Sequence, residues 1–277
     1  MVPVSGVFYP RLAESGIIPP AAMQQREGAS TDTIAGRQPV LEALRSGRPI
    51  NRVVLAHEVG RHSIVADILR LCRERRIPVD YVPGRSLADA AGGSVDQGVL
   101  AYAAAKDYVD LDDLLERSRI KGEAPLYCIL DGIEDPQNLG AILRTADAAG
   151  VHGVIVRSRR AVGLTAGVSR ASAGAIEYVP VARVPNIAQT IEGLKQLNVW
   201  VIGVDRAGST EFTRMDYTGA IALVIGSEGA GLSDLAKKRC DMIASIPMRG
   251  EISSLNASVA AALVMYEAFR QRRSASA

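Results

Sequence analysis

The sequence predicts an α/β protein built from two units in tandem, and three observations carry that reading. Short runs rich in Val, Ile and Leu alternate with segments of helical periodicity along most of the chain. In the C-terminal half these runs are continuously apolar, which marks a parallel sheet covered by helices on both faces. Between the halves lies a charged stretch, KDYVDLDDLLERSRIKG (residues 106–122), which reads as a connecting helix or linker.

Residues 1–33 read as an extension: Pro3, Pro10, Pro19 and Pro20 interrupt any regular element, and apolar periodicity is absent. From residue 34 the pattern changes. VLEALRSG is a short helix with Pro39 near its start and Gly47 past its end. INRVVLA reads as a buried strand, SIVADILRLCRERR as an amphipathic helix and IPVDYVP as a second strand. SLADAAG is a helix capped by Ser86, and GVLAYAAA a third strand. Residues 34–105 thus form a small α/β layer.

The second unit, residues 123–277, offers six strands: LYCILD, GVIV, EYVPV, NVWVIGV, IALVI and MIASI. Helical patterns separate them, and the chain closes on SLNASVAAALVMYEAFRQRR. There Leu255, Val259, Leu263, Tyr266 and Phe269 recur at spacings of three and four, a helix stripe. This stripe exceeds what one sheet face needs, which fits a homodimer.

Composition narrows the function classes. Hydrophobic residues make up 48% of the 277, so the chain can bury a core, and its net charge of +2 carries no polyanion signature. Of the 32 basic residues only five are Lys. An Arg-rich surface suits phosphate recognition, and a compositional bias of the source explains it equally well. Cys72, Cys128 and Cys240, like His57, His62 and His152, are scattered without ligand spacing, so neither a disulfide framework nor a metal site is expected. No run reaches the roughly 18 apolar residues of a membrane span, and no signal peptide is recognisable. A reducing, cytoplasmic setting follows.

Three stretches carry candidate chemistry, each after a predicted strand of the second unit, where open α/β sheets bind ligands. The first is DGIEDPQNLGAILR, from Asp131 to Arg144. Asn138 there reads as an ordinary helix N-cap, and Arg144 as a half-buried stem or a placed cation. The second is IGSEGAGLS from Ile225. Its glycines run G-x-x-G-x-G instead of the dinucleotide G-x-G-x-x-G, and no Walker loop occurs. What remains is a Gly-rich turn with one carboxylate, Glu228. The third is IPMRGEISSLNASVA from Ile246, where Ser253, Ser254 and Asn256 gather at the start of a helix. An Asn in a first helical turn is unfavourable unless it bonds something.

Together, in this order and spacing, the three stretches resemble the motifs of the SpoU/TrmH class of SPOUT RNA 2′-O-methyltransferases, over about residues 125–272. Residues 34–105 resemble the substrate-binding domain these enzymes often carry, related in shape to ribosomal protein L30e. The family usually has His before Gln-Gly in that domain, whereas this chain has Asp96-Gln97-Gly98. RNA contacts at that turn are therefore not carried over.

The resemblance implies a trefoil-knotted SPOUT domain of parallel sheet and flanking helices behind a small L30e-like domain. It implies S-adenosylmethionine as cofactor, held at Gly226, Ile246 and Leu255, no metal, and a homodimer. The substrate it implies is structured RNA, closest to a guanosine of 23S ribosomal RNA, with transfer RNA or a silent RNA-binding role as alternatives. Arg144 becomes the candidate catalytic residue, supported by Asn138 and Glu228, with Ser254 and Asn256 positioning ribose or cofactor. The family's arginine is proposed as a general base. A guanidinium stays protonated in proteins, so a clamp on phosphate is an equal reading. Arg70, Arg73, Arg75 and Arg76, the RSRR run at 157–160, and Arg170 lie where RNA would approach.

Overall fold

In the computed structural model, residues 31–60, 62–91, 97–159, 161–251 and 254–275 are described. The expected extension through residue 30, and Asp96, Arg160 and Ser253, lie outside these residues. Thr31–Ala277 form one unit containing two sheets.

The smaller sheet has the order β1-β4-β2-β3, from β1 (Thr31–Ala35), β2 (Ile50–Ala56), β3 (Val79–Val82) and β4 (Val99–Ala104). Strand β1 begins inside the stretch expected to be an extension, a correction to the boundary at residue 33. TDTIA opens with three polar residues, has no apolar alternation and lies at a sheet edge, so only its pairing with β4, Ile34 opposite Ala101, identifies it. Helices α1 (Arg37–Ser46) and α2 (Ser63–Glu74) cover one face through Leu41, Leu44, Ile68 and Leu71. Helix α3 (Gly84–Ala90) covers the other through Leu87.

Helix α4 (Leu111–Lys121) falls in the charged stretch. It is more than a connector: Leu114 is fully buried in the core of the large sheet, and its side chain sits where Gly153 leaves no room for a Cβ. Charge confined to the solvent side concealed that packing.

The large sheet has the order β7-β6-β5-β10-β8-β11-β9, and every pairing in it is parallel. Its central strands are β5 (Leu126–Asp131), β10 (Ile221–Gly226), β8 (Trp200–Val204) and β6 (Gly153–Arg157). β7 (Val181–Val184) ends one edge; β11 (Met242–Ser245) and the two-residue β9 (Thr210–Glu211) end the other. All six residues of β5 and of β10 are buried, as continuous apolar runs require. Helices α5 (Pro136–Ala148), α6 (Ala166–Ala171) and α9 (Ala257–Ala275) pack on one face. Helices α4, α7 (Ile187–Gln196) and α8 (Asp234–Arg239) pack on the other.

Two expectations change. EYVPV is not one strand: residues Ala175–Glu177 form a 3-10 turn and only Val181 onward pairs. The stripe on α9 is not its core side. Ala257, Ala261, Val264, Met265 and Ala268 face the sheet, while Val259, Leu263, Tyr266 and Phe269 are exposed on the single chain.

The two sheets meet at a charged seam. Arg48, only 5% exposed, donates to the Asp32 and Glu177 carboxylates at 3.0 and 2.8 Å and to the Ala104 carbonyl. Lys106 adds a second cation to Glu177 at 3.3 Å. Buried charges need such pairing to offset desolvation.

Candidate active site

The carboxyl ends of β10 and β8, and the chain leaving β11, open onto a cleft of about 240 Å³ lined by Val204, Ile225, Gly226 and Ile246, at the strand ends where open α/β sheets bind ligands. One wall is the loop after β10. Ser227 and Gly231 exchange backbone hydrogen bonds at 3.1 and 2.9 Å, closing a tight turn. Gly231 adopts φ +67°, and a Cβ on Gly226 would lie 2.1 Å from the Gly231 carbonyl carbon. Only glycine permits that approach. The facing wall is the segment entering α9: Ile246, Met248, Ser254, Leu255 and Ala257.

Two carboxylates hold the loop from beneath. Asp131, at the end of β5, accepts the Ser233 amide at 2.9 Å. Asp205, following β8, accepts the Leu232 and Ala207 amides and pairs with Lys237 at 2.9 Å. Burial alone would raise the Asp205 carboxyl. The Ala207 amide, the Lys237 ammonium and the Leu232 amide outweigh burial and hold it below its ordinary value, so it is a fixed anion. Sequence reasoning passed over Asp131 as a role-bearing residue and missed Asp205 and Lys237. The available signal was an Asp directly after an apolar strand, in VIGVD as in CILD.

At the rim, three motifs meet in one side-chain junction. Asn256 Nδ2 donates to Asn138 Oδ1 at 2.9 Å and to Glu228 Oε2 at 3.3 Å. Its Oδ1 accepts the Ser258 amide at 2.9 Å and the Ser258 hydroxyl, which caps α9. The Asn that sequence reasoning required to bond something bonds on both sides. Asn138 is not the N-cap of α5: Asp135 caps it, accepting the Gln137 amide at 3.1 Å, with Pro136 in the first turn. Relieved of capping, Asn138 is buried and points at Asn256.

Of the residues singled out from sequence, Gly226, Ile246, Leu255 and Ser254 line the cleft, and Asn138, Glu228 and Asn256 are joined beside it. Arg144 lies on the exposed surface of α5, and among the described residues it makes no hydrogen bond to that junction. Six residues on from Asn138, it sits about 9 Å along the helix and on a different face. Arg159 is exposed, and Arg157 and Arg170 are half-buried. Among the described residues, no cluster of His, Cys, Asp or Glu is disposed to hold a metal, and no helix is long and apolar enough to cross a membrane.

Residues 125–266 match the model of the SpoU rRNA methylase family, and residues 33–109 match that of RNA 2′-O ribose methyltransferase substrate binding. A Bacillus subtilis protein named as a TrmH family tRNA/rRNA methyltransferase is 45% identical over 87% of this chain and 96% of its own length. Among solved structures, the SpoU methyltransferase AviRb of Streptomyces viridochromogenes, in complex with AdoMet, aligns with a TM-score of 0.73 at 30% identity. That alignment covers 88% of this chain and 91% of AviRb. An AdoMet-bound rRNA methyltransferase of Sinorhizobium meliloti aligns with a TM-score of 0.72 at 28% identity, covering 87% of each chain.

Proposed function

The chain belongs to the SpoU rRNA methylase family, and on that premise we propose that it transfers the methyl group of S-adenosylmethionine to a ribose 2′-hydroxyl of structured RNA. The observation that carries this reading is the Asn138–Asn256–Glu228 junction at the rim of the cleft, which ties all three motif segments together. The target we assign is a guanosine of 23S ribosomal RNA, read from residues 34–105 as a substrate domain in front of the residue 123–277 methyltransferase domain. The relative's name includes tRNA, which keeps transfer RNA as the second reading.

The lining suits the cofactor. A glycine loop too close for a Cβ offers backbone groups, Ile246 and Leu255 offer apolar contact, and Ser254 and the Asp205–Lys237 pair add polar groups. When bound, S-adenosylmethionine supplies an electrophilic methyl group on a cationic sulfonium. The chain's own work is to bring the ribose oxygen in line with it. Asn138, Glu228 and Asn256 fix the loop and the α9 entrance against each other, and Ser254 faces the cleft for ribose or cofactor. Arg144, exposed and carrying a planar fork, holds a phosphate beside the target and orients the hydroxyl. The exposed stripe of α9, with Phe212 beside Leu263, Tyr266 and Phe269, is assigned to a second copy of the chain.

Calorimetry with S-adenosylmethionine, with and without chelator, tests the cofactor: binding indifferent to chelator is expected, and absence of heat overturns the reading. Mass spectrometry of ribosomal and transfer RNA from a deletion strain tests the target. Loss of a 2′-O-methylguanosine from 23S RNA is expected, and a loss confined to transfer RNA transfers the assignment.

A further inference from the structure

The small sheet carries a second cavity, remote in sequence from the methyl-transfer cleft. It is a groove of about 540 Å³ between α2 and the carboxyl ends of β2 and β3, floored by Leu55, Val59, Val65, Ala66 and Leu69. Its polar rim is aromatic. His57, just past β2, and Tyr81, on the edge strand β3, hold their rings within 18° of parallel with centroids 6.4 Å apart. Tyr81 is 52% exposed, and His57 and His62 are exposed beside it.

This exposure is costly without a use. Among the described residues strand β3 has no partner on its outer side, and an aromatic ring there contributes little to the core while inviting non-specific contacts. Flat rings on a groove with an apolar floor suit a ligand that is itself flat, apolar on its faces and polar at its edge. An unpaired nucleobase is such a ligand, and bases stack on Tyr and His in single-stranded RNA recognition. Rim donors meet the base edge: His62 Nδ1 accepts the Ile64 amide at 3.2 Å, which leaves Nε2 as the protonated nitrogen in the neutral ring.

The groove also adjoins the turn at Gln97 and Gly98. Val59, on the groove floor, lies 3.2 Å or less from where a Cβ on Gly98 would stand, and Gly98 adopts φ +77°. Arg37 spans the same turn, its backbone amide donating to Gln97 Oε1 and its Nε to the Gln97 carbonyl. All these residues fall within the stretch matched as RNA methyltransferase substrate binding.

We propose that His57 and Tyr81 form a stacking site for one unpaired base of the RNA substrate, which anchors the small unit on a loop or bulge. The proposal rests on the RNA substrate class assigned above and identifies where an unstacked base is held. It predicts selection for RNA carrying unpaired bases over continuous duplex, at a site separate from methyl transfer.

The test uses the full chain and a generic probe, because stacking tolerates sequence. The probe is an RNA hairpin with 2-aminopurine in a six-nucleotide loop, and a fully paired duplex of equal length is the control. Wild type should quench the 2-aminopurine fluorescence. Tyr81→Ala should abolish the quench and weaken hairpin binding by about 5- to 150-fold, the range for loss of one base stack. Tyr81→Trp should keep both, and duplex binding should be the same in all three. Because Tyr81 is half exposed, the substitution leaves the core in place, and an unchanged thermal midpoint verifies this. No quench by wild type, equal affinity of wild type and Tyr81→Ala, or an equal loss on duplex each overturns the stacking site. Calorimetry with S-adenosylmethionine on the same samples separates the two readings. Cofactor binding without quenching removes only the stacking site, and quenching without cofactor binding removes only the methyltransferase reading.

Discussion

The two ends of the large sheet use polar side chains in opposite ways. At the carboxyl end, Asp131 and Asp205 accept amides of the loop after β10 and hold it in a form that leaves a cleft open. At the amino end, polar side chains close over the backbone. Arg272, from α9, donates to the carbonyls of Ala124, Pro125, Tyr217 and Gly219, which lie just before β5 and β10. His152 bridges the Leu126 amide and Glu123, Asp241 accepts the Val201 amide at 2.9 Å, and Ser118 pairs with Tyr127 at 2.6 Å. One end organises backbone around an opening; the other consumes it. Polar satisfaction alone therefore does not mark a site, and what marks it is the shape left after the polar groups are satisfied.

The sharpest way to break the comparison is at Gly226. A Cβ there would stand 2.1 Å from the Gly231 backbone, with no flexible side chain to yield. Gly226→Ala should cost on the order of 4 kcal/mol locally, in the range of severe strain. That cost should be met by expelling the loop, not by unfolding the sheet. The expected result is loss of S-adenosylmethionine binding by calorimetry beyond about 100-fold, since each 1.4 kcal/mol is tenfold. The thermal midpoint should fall far less than a 4 kcal/mol global loss requires.

Arg272→Ala should do the reverse. It removes a cation from four carbonyls at the closed end, and hydrogen bonds to charged groups contribute about 1.5–3 kcal/mol each in favourable cases. Arg272 is partly exposed, so water replaces part of that, and a net loss of about 2–3 kcal/mol is expected. Chemical denaturation should show it, while cofactor affinity of the folded protein stays within about twofold. A large loss of affinity would mean that the two ends are coupled through α9.

The same contrast accounts for what the sequence made legible. β5 and β10 were readable because a strand buried on both faces is almost continuously apolar, as LYCIL and IALVI are. β1 and β9 were not, because edge strands are short and polar and are defined by a partner far along the chain. On α9 the periodic residues Val259, Leu263, Tyr266 and Phe269 proved exposed, while Ala257, Ala261, Val264, Met265 and Ala268 are buried. Close packing on α5 and the sheet takes alanine at three of these five buried positions, so the face marked by the larger side chains is not the one that packs. The site was legible as three motifs but not as a junction: Asn138 and Asn256 are 118 residues apart, and their contact is a product of topology. Asp205 lies outside the three motifs; its one sequence signal is its place directly after an apolar strand, and its role is read from the amides that point at it.

The smallest expected effect sharpens the comparison by pH. His152 Nδ1 accepts the Leu126 amide at 3.1 Å, so in the folded protein the ring is neutral with its proton on Nε2, directed at Glu123 Oε2 at 3.1 Å. Burial, and then the Lys121 charge, lower its pKa from the ordinary value, more than the Glu123 carboxylate raises it. The unfolded chain, with an ordinary His near pH 6.5, therefore binds more protons there than the folded one, and stability must rise with pH through this window. The contribution is complete above about pH 6.5 and is lost as pH falls through the lower folded value. The buried carboxylate of the open end, Asp205, is also held below its ordinary value, so its own loss comes only at still lower pH, near and below the carboxylate range. Denaturation midpoints measured from pH 8 down to pH 5 should fall in wild type, and His152→Gln, which keeps an acceptor for the Leu126 amide but does not titrate, should give a flatter profile. Equal slopes in the two proteins would show that the closed end does not titrate through His152, and that acid lability in this range begins elsewhere in the fold.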